Sequence, residues 1–80
     1  MTVLDMYCRK ILEERGITRS RMLRNLRKYL KNNTIAALVD QIRQMTNINH
    51  MKVLWEAGLN THLQAEVERR QLELKVRRST

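Results

Sequence analysis

Basic side chains are the groups of this sequence with the clearest chemistry, and they are concentrated in one segment. Positions 15–39 hold seven basic residues and no acidic residue. Six of the seven lie within thirteen positions: Arg19, Arg21, Arg24, Arg27, Lys28 and Lys31. Residues spaced by three or four share one side of an α-helix, which would place Arg21, Arg24, Lys28 and Lys31 on one ridge with Arg27 beside it. Guanidinium and ammonium groups bind phosphate oxygens, so this pattern predicts a surface for a polyanion.

The charge of the whole chain favours the same kind of partner. Sixteen Lys and Arg against eight Asp and Glu give 80 residues a formal net charge of +8 and a pI of about 10.6. A pI above roughly 9 is typical of nucleic-acid-binding domains. The ordinary alternative is a solvated helix face that Glu residues from elsewhere in the fold neutralise. The lack of any acid within the basic segment favours the polyanion.

The sequence lacks the constellations that catalysis or metal binding needs. His50 and His62 are twelve residues apart and Cys8 is remote from both, which matches no common zinc pattern. Two glycines are too few for a glycine-rich phosphate loop. Cys8 lies on an apolar stripe, where we expect a small buried side chain. The sequence therefore predicts a protein that is not an enzyme and that holds no metal and no cofactor.

The elements that must position the basic ridge are helices. The chain has no proline, and both glycines lie where helical periodicity stops. Apolar periodicity and capping residues predict five segments. The first runs from Val3 to Arg15, with Thr2 as its N-cap and Gly16 as its left-handed C-cap. The second runs from Thr18 or Ser20 to about Lys31, after which Asn32 and Asn33 break the pattern. Thr34 caps the third, and a short fourth runs from Asn47 or Asn49 to Gly58. A fifth begins at Asn60 or Thr61, where Thr61 and Gln64 have capping-box spacing. We expect one compact all-α domain over residues 1–80, a bundle of four or five short helices.

The third segment has the clearest buried face. Its apolar residues follow i, i+3, i+4, i+7 and i+10: Ile35, Leu38, Val39, Ile42 and Met45. In a helix-turn-helix arrangement this helix would enter the major groove and present Gln41 and Gln44, but the acidic Asp40 lies beside them. The cations lie on the second helix instead. Contact with backbone phosphates therefore fits the sequence better than readout of bases.

The C-terminal segment, residues 71–80, fits two structures. As part of a helix it belongs to two opposed apolar stripes: Leu63, Val67 and Leu74 on one, Ala65, Leu72 and Val76 on the other. As a strand it would place Leu72, Leu74 and Val76 on one face. Both structures leave apolar surface for a second chain, so the sequence predicts a homodimer formed through these three residues. The alternative is a flexible tail that is loose after about Arg70.

These patterns together predict a small basic protein that binds the phosphate backbone of DNA or RNA as a regulatory or accessory factor. The alternative is an interaction module, or adaptor, whose basic helix docks an acidic protein surface. No membrane partner is expected, because the second helix needs its apolar face for the core. No small-molecule substrate is expected either. The lone Cys8 and the lack of an apolar leader favour the cytoplasm, the nucleoid or the nucleus over secretion.

Overall fold

Five α-helices make up almost all of the chain that the computed structural model describes, which is residues 2–79, with side chains as far as Arg77. The helices are α1 (Val3–Glu13), α2 (Gly16–Asn32), α3 (Ile35–Gln44), α4 (Ile48–Ala57) and α5 (Thr61–Ser79). No strand occurs between residues 2 and 79. The predicted all-α fold class is confirmed. Within the same range, no helix combines the length and apolar character that a membrane span requires.

Local side-chain caps begin three of the helices where the sequence predicted them. Thr2 and Asp5 form a reciprocal capping box on α1, in which each side chain accepts a hydrogen bond from the backbone of the other. The Thr34 hydroxyl accepts from the backbone of Ala37 at the start of α3. The Asn47 side chain caps α4 in the same manner. These contacts satisfy backbone donors that the first turn of a helix leaves open.

The junction of α1 and α2 differs from the prediction. Helix α1 ends at Glu13, and its C-cap is Glu14, which has an extended backbone. Arg15 is also extended, and Gly16 follows with a φ of +67° as the first residue of α2. Gly16 therefore supplies the left-handed turn into α2 instead of ending α1. At the other end, α2 stops at Asn32, where the sequence indicated a break.

The start of α5 also corrects an expectation. The backbone N–H of Leu63 donates to the Asn60 side chain at 2.9 Å, so Asn60 is the residue that caps this helix. The side chain of Gln64 donates to the Leu59 carbonyl at 2.8 Å and not to the backbone of Thr61. The predicted capping box of Thr61 with Gln64 is therefore wrong.

One buried core is shared by all five helices. Its fully buried aliphatic and sulfur-containing side chains include Leu4, Cys8, Ile11, Leu26, Leu38, Ile42, Met45, Met51, Leu54 and Val67. Helix α1 packs against α2, α3 and α4, whereas α3 packs mainly against α5. Trp55 packs against this core while remaining half-buried. Ile35, predicted to lie on the buried face of α3, is 45% exposed at the first turn of that helix.

The C-terminal segment is helical to Ser79, so the predicted strand is wrong, while the flexible tail after Arg70 stays a prediction. A single strand would leave its backbone groups without partners, whereas a helix satisfies them within the segment. The helix separates the three predicted pairing residues. Leu74 packs against the core of its own chain. Leu72 and Val76 remain 63% and 56% exposed on the opposite side.

Candidate nucleic-acid interface

Helix α2 has an apolar inner side that holds it on the bundle. Leu23 and Leu26 are buried, and the half-buried members of this side also pack against the core: Met22, Tyr29 and Leu30. The helix packs against α1 and α4. Because the helix has about 3.6 residues per turn, the positions about 180° away from these apolar residues lie on the opposite, outer side.

Four cations lie on that outer side, and we call them the α2 cationic row: Arg21, Arg24, Lys28 and Lys31. All four residues are exposed. Across the described residues, none of the four forms an ion pair or a side-chain hydrogen bond. From the first to the last, the row covers about 15 Å along the helix axis, at 1.5 Å per residue. It is a continuous surface of uncompensated positive charge.

The ion pairs among the described residues involve cations other than the α2 cationic row. Glu66 binds Arg43 at 3.2 Å, and this hydrogen bond lowers the pKa of Glu66 below its ordinary value despite some opposing desolvation. Glu73 binds Arg70 at 3.0 Å, and Arg70 also donates to the Met45 carbonyl at 2.7 Å. In the described part of the chain, carboxylates therefore pair with arginines of α1, α3 and α5 and with Arg19 of α2, but with none of the α2 cationic row.

Arg19 takes a structural position, although the sequence placed it with the phosphate-binding residues. Its guanidinium forms an ion pair with Glu56 on α4 and donates to the Ile11 carbonyl at 3.0 Å. That carbonyl lies in the last turn of α1 and also accepts the backbone N–H of Glu14 at 3.2 Å. Arg19 thus joins three helices, and its charge is compensated within the chain.

Arg27 has a contact within the chain, as Arg19 does, but it is exposed, as the α2 cationic row is. Its Nε donates to the Ala57 carbonyl at 2.6 Å, at the C-terminal end of α4. The residue is nevertheless exposed, so the rest of the guanidinium faces solvent. Arg27 is anchored at the side of the α2 cationic row rather than within it.

Ile17 is an exposed apolar residue on the same face, and the sequence analysis did not single it out. It is 77% exposed, more than any other large hydrophobic residue among those described. Its position four residues before Arg21 places it in line with the cations. The four-residue spacing between Ile17 and Arg21 is the feature of the sequence that predicts Ile17 on the same face as the cations.

The glutamines of α3 both form side-chain hydrogen bonds within the chain. Gln41 accepts a hydrogen bond from the backbone of Leu4 at 3.0 Å and donates to the Tyr29 hydroxyl at 2.9 Å. Gln44 donates to the Asp40 carboxylate at 3.1 Å. Both side chains named as possible readers of base edges therefore already have hydrogen-bond partners within the chain.

A buried polar pair connects α1 to α4, and no local pattern in the sequence indicated it. Asp5 Oδ1 and His50 Nδ1 are 2.8 Å apart, and both residues are buried. Burial alone would raise the pKa of Asp5, but the hydrogen bonds from His50 and Thr2 outweigh it and lower that pKa. Burial, with a contribution from Asp5, raises the pKa of the Cys8 thiol to about 12. Cys8 is therefore protonated at neutral pH, as expected of a small core residue.

Metal-ligating side chains do not gather in the described part of the chain: no group of three or more His, Cys, Asp or Glu side chains there could hold an ion. His50 is paired with Asp5, and His62 is exposed at the start of α5.

Comparisons with protein-family models, with curated proteins and with solved structures give no match for this chain.

Proposed function

We propose that this protein binds nucleic acid through phosphate contacts made by the α2 cationic row. The observation that carries the proposal is the exposure of four cations on one helix face, unpaired among the described residues, while acidic residues pair with other cations of the chain. Like charges three or four residues apart destabilise an isolated helix slightly. Phosphate oxygens would relieve that repulsion and accept charge-assisted hydrogen bonds.

The proposed activity is binding and not catalysis. In this proposal the protein is a regulatory or accessory factor in the cytoplasm, nucleoid or nucleus, where nucleic acid is available. Phosphate contacts give affinity and orientation without requiring a particular base sequence. Arg27, anchored on Ala57, adds a cation at the side of the row. Arg19 is left out of the proposed contacts because Glu56 already compensates its charge.

We also propose that two copies associate through α5. Leu72 and Val76 are one turn apart, both exposed, and lie on the side of α5 that faces away from the core. Helix α5 packs mainly against α3 and α4, and Leu72 and Val76 lie on its exposed side, so this pairing would leave the α2 cationic row accessible. A dimer would carry two rows and gain avidity on a long polyanion.

Charge reversal on the row tests nucleic-acid binding. We expect the Arg24→Glu, Lys28→Glu variant to bind a labelled mixed-sequence duplex at least about tenfold more weakly than the wild type at about 50 mM salt. The matched control is Lys10→Glu with Lys52→Glu, which makes the same change in net charge on α1 and α4, where both residues are exposed. Its affinity should fall by much less. Circular dichroism establishes that both variants are folded.

Two results would contradict the proposal. An equal loss of affinity in the control would show that net charge, not the row, governs binding. Absence of wild-type binding near micromolar concentration at about 50 mM salt would exclude a phosphate-binding role. The acidic-protein partner would then be the better explanation of the row.

Sedimentation velocity over a dilution series tests the pairing through α5. We expect the wild type to associate with rising concentration and Leu72→Glu, Val76→Glu to remain monomeric, because two buried charges would face each other at the contact. A wild-type chain that stays monomeric at high concentration would rule the dimer out.

A further inference from the structure

The structure carries an inference about which nucleic acid the row would bind. Resting on the proposed function, we infer that α2 enters the major groove of duplex DNA, with Ile17 directed toward the bases as an apolar contact. The observations behind this are the engagement of every aromatic ring, the placement of the cations about Ile17, and the exposure of Ile17 itself.

The aromatic side chains are not available to stack on unpaired bases. The chain has two tyrosines, one tryptophan and no phenylalanine. Tyr7 and Tyr29 pack on each other with ring centroids 5.1 Å apart, and the Tyr29 hydroxyl bonds to Gln41. Trp55 is half-buried, and its indole N–H donates to Gln71. Proteins that bind single strands use exposed aromatic rings as stacking platforms. The protein therefore lacks what a single strand would require.

The cations are distributed evenly on the two sides of Ile17. At about 100° per residue, Arg21 and Lys28 lie roughly 40° and 20° to one side of the line through Ile17. Arg24 and Lys31 lie roughly 20° and 40° to the other side. Each side thus has two cations separated by two helical turns. This arrangement matches a groove in which a helix runs between two phosphate backbones.

The major groove of B-DNA is wide enough to hold an α-helix between its two phosphate backbones. It is about 12 Å wide, whereas an α-helix with its side chains is about 10–12 Å in diameter. The major groove of an RNA duplex is deep and narrow and does not admit side chains in this way. The outer face of α2 is exposed over its whole length, and Gly16 at its start has open space around it. The geometry therefore favours duplex DNA over duplex RNA.

Ile17 is suited to an apolar contact with a thymine methyl group on the floor of the major groove. Of the four bases in DNA only thymine carries a methyl group in the major groove, and apolar side chains contact it there. Ile17 lies in the first turn of α2, and the N-terminal residues of helices that enter the groove are the ones that reach base edges. A branched apolar side chain that is 77% exposed in water would gain by covering such a methyl group.

Replacing thymine by uracil tests this inference, because it removes the methyl groups without changing the charge of the duplex. Using the full chain at about 50 mM salt, fluorescence anisotropy would compare a mixed-sequence DNA duplex, the same duplex with uracil at every thymine, its two separated strands and an RNA duplex. We expect the thymine duplex to bind most tightly. The uracil duplex should bind about two- to fourfold more weakly, the effect of losing roughly one buried methyl contact.

The Ile17→Ala variant completes the test, with Met6→Ala as control because Met6 is an exposed apolar residue of α1. Ile17→Ala should bind both duplexes equally, and Met6→Ala should retain the preference for thymine. Equal or tighter binding of single strands or duplex RNA would overturn the duplex inference while phosphate binding stands. A thymine preference that is absent, or that survives in Ile17→Ala, would overturn the role of Ile17. Failure to bind any of the four nucleic acids would instead overturn the proposed function.

Discussion

The carboxylate of Asp5 joins the start of α1 to α4 through both of its oxygens. Oδ2 accepts hydrogen bonds from the backbone and the hydroxyl of Thr2, and Oδ1 lies 2.8 Å from His50 Nδ1. No buried polar side-chain atom among the described residues lacks a hydrogen-bond partner. Because an unpaired buried charge is costly, this pair fixes how α1 and α4 meet as well as stabilising them.

Acid should weaken the fold through this residue. The pKa of Asp5 in the folded chain is lower than the ordinary 3.8, so the ionised carboxylate contributes stability above that value. The contribution is lost as the pH falls below about 3.8 toward the folded pKa. We expect Asp5→Asn to lower the free energy of unfolding by about 1.5–3 kcal/mol at neutral pH, because hydrogen bonds to a charged group are lost.

Urea denaturation between about pH 3 and pH 6 measures this effect, since that window contains the ordinary pKa of a carboxyl. Asp5→Asn should lose less stability on acidification than the wild type does. Asp40→Asn is the control, because Asp40 is exposed on α3 and interacts with Gln44. Equal acid dependence of the wild type and Asp5→Asn would show that Asp5 is not the group responsible.

Residue-level contacts were predictable from the sequence only where they are local. Thr2 and Thr34 were recognised as caps because a cap needs a partner two or three residues away. The partner of Asp5 is 45 residues distant, and that of Arg19 is 37 residues distant. Neither pairing leaves a periodic pattern, so Arg19 was grouped with the exposed cations until the fold placed it against Glu56.

The two glycines have positive φ angles at helix ends and turn the chain between consecutive helices. Gly16 turns the chain into α2 with a φ of +67°, and Gly58 ends α4 with φ +100° and ψ +120°. A Cβ at either position would meet no other atom within 4 Å, so only the backbone conformation demands glycine. The conformation at Gly58 lies further from the left-handed helical region that other residues occasionally adopt.

Alanine at these glycines should therefore destabilise the protein through the backbone alone. We expect Gly16→Ala to cost about 1 kcal/mol and Gly58→Ala to cost more, up to about 3 kcal/mol. Thermal and urea unfolding would measure both. Asn25→Ala is the control, because Asn25 is exposed in the interior of α2, where alanine suits the helical backbone. Wild-type stability in both glycine variants would contradict the assigned conformations.

Apolar periodicity was sufficient to predict the first four helices, but it could not decide between helix and strand for the C-terminal segment. The spacing of Leu38, Ile42 and Met45 admits only a helix, and all three are buried. The sequence from Leu72 to Val76 alternates strictly and also fits a helix, so local pattern could not decide between them. The packing of Leu74 against the core selects the helix, and that packing depends on residues distant in the sequence.

Positive charge is concentrated on α2, which holds six basic residues and no acidic residue. The net charge is +8, and the cations without described partners include the four of the α2 cationic row. The ion pairs of Arg43 and Arg70 instead connect acidic and basic residues of α3 and α5. The part of the molecule built around α2 should therefore have the more positive potential.

Salt dependence measures this distribution directly. If each chain places four cations on phosphates of duplex DNA, log K should fall with log salt with a slope of about −3.6 per chain. Lys28→Ala should reduce the slope by about 0.9, because one counterion fewer is released. Titrations between about 50 and 200 mM salt would give both values. A wild-type slope near zero would mean that ionic contacts do not dominate binding.

The chain contains a single indole, and its position makes it an internal optical reporter. Trp55 lies on α4, and its N–H reaches Gln71 on α5 at 3.4 Å. Its fluorescence emission should therefore respond to whether the last helix is seated on the bundle. Detachment of α5 would expose the ring to water and shift the emission to longer wavelength, even if all five helices kept their far-ultraviolet signal.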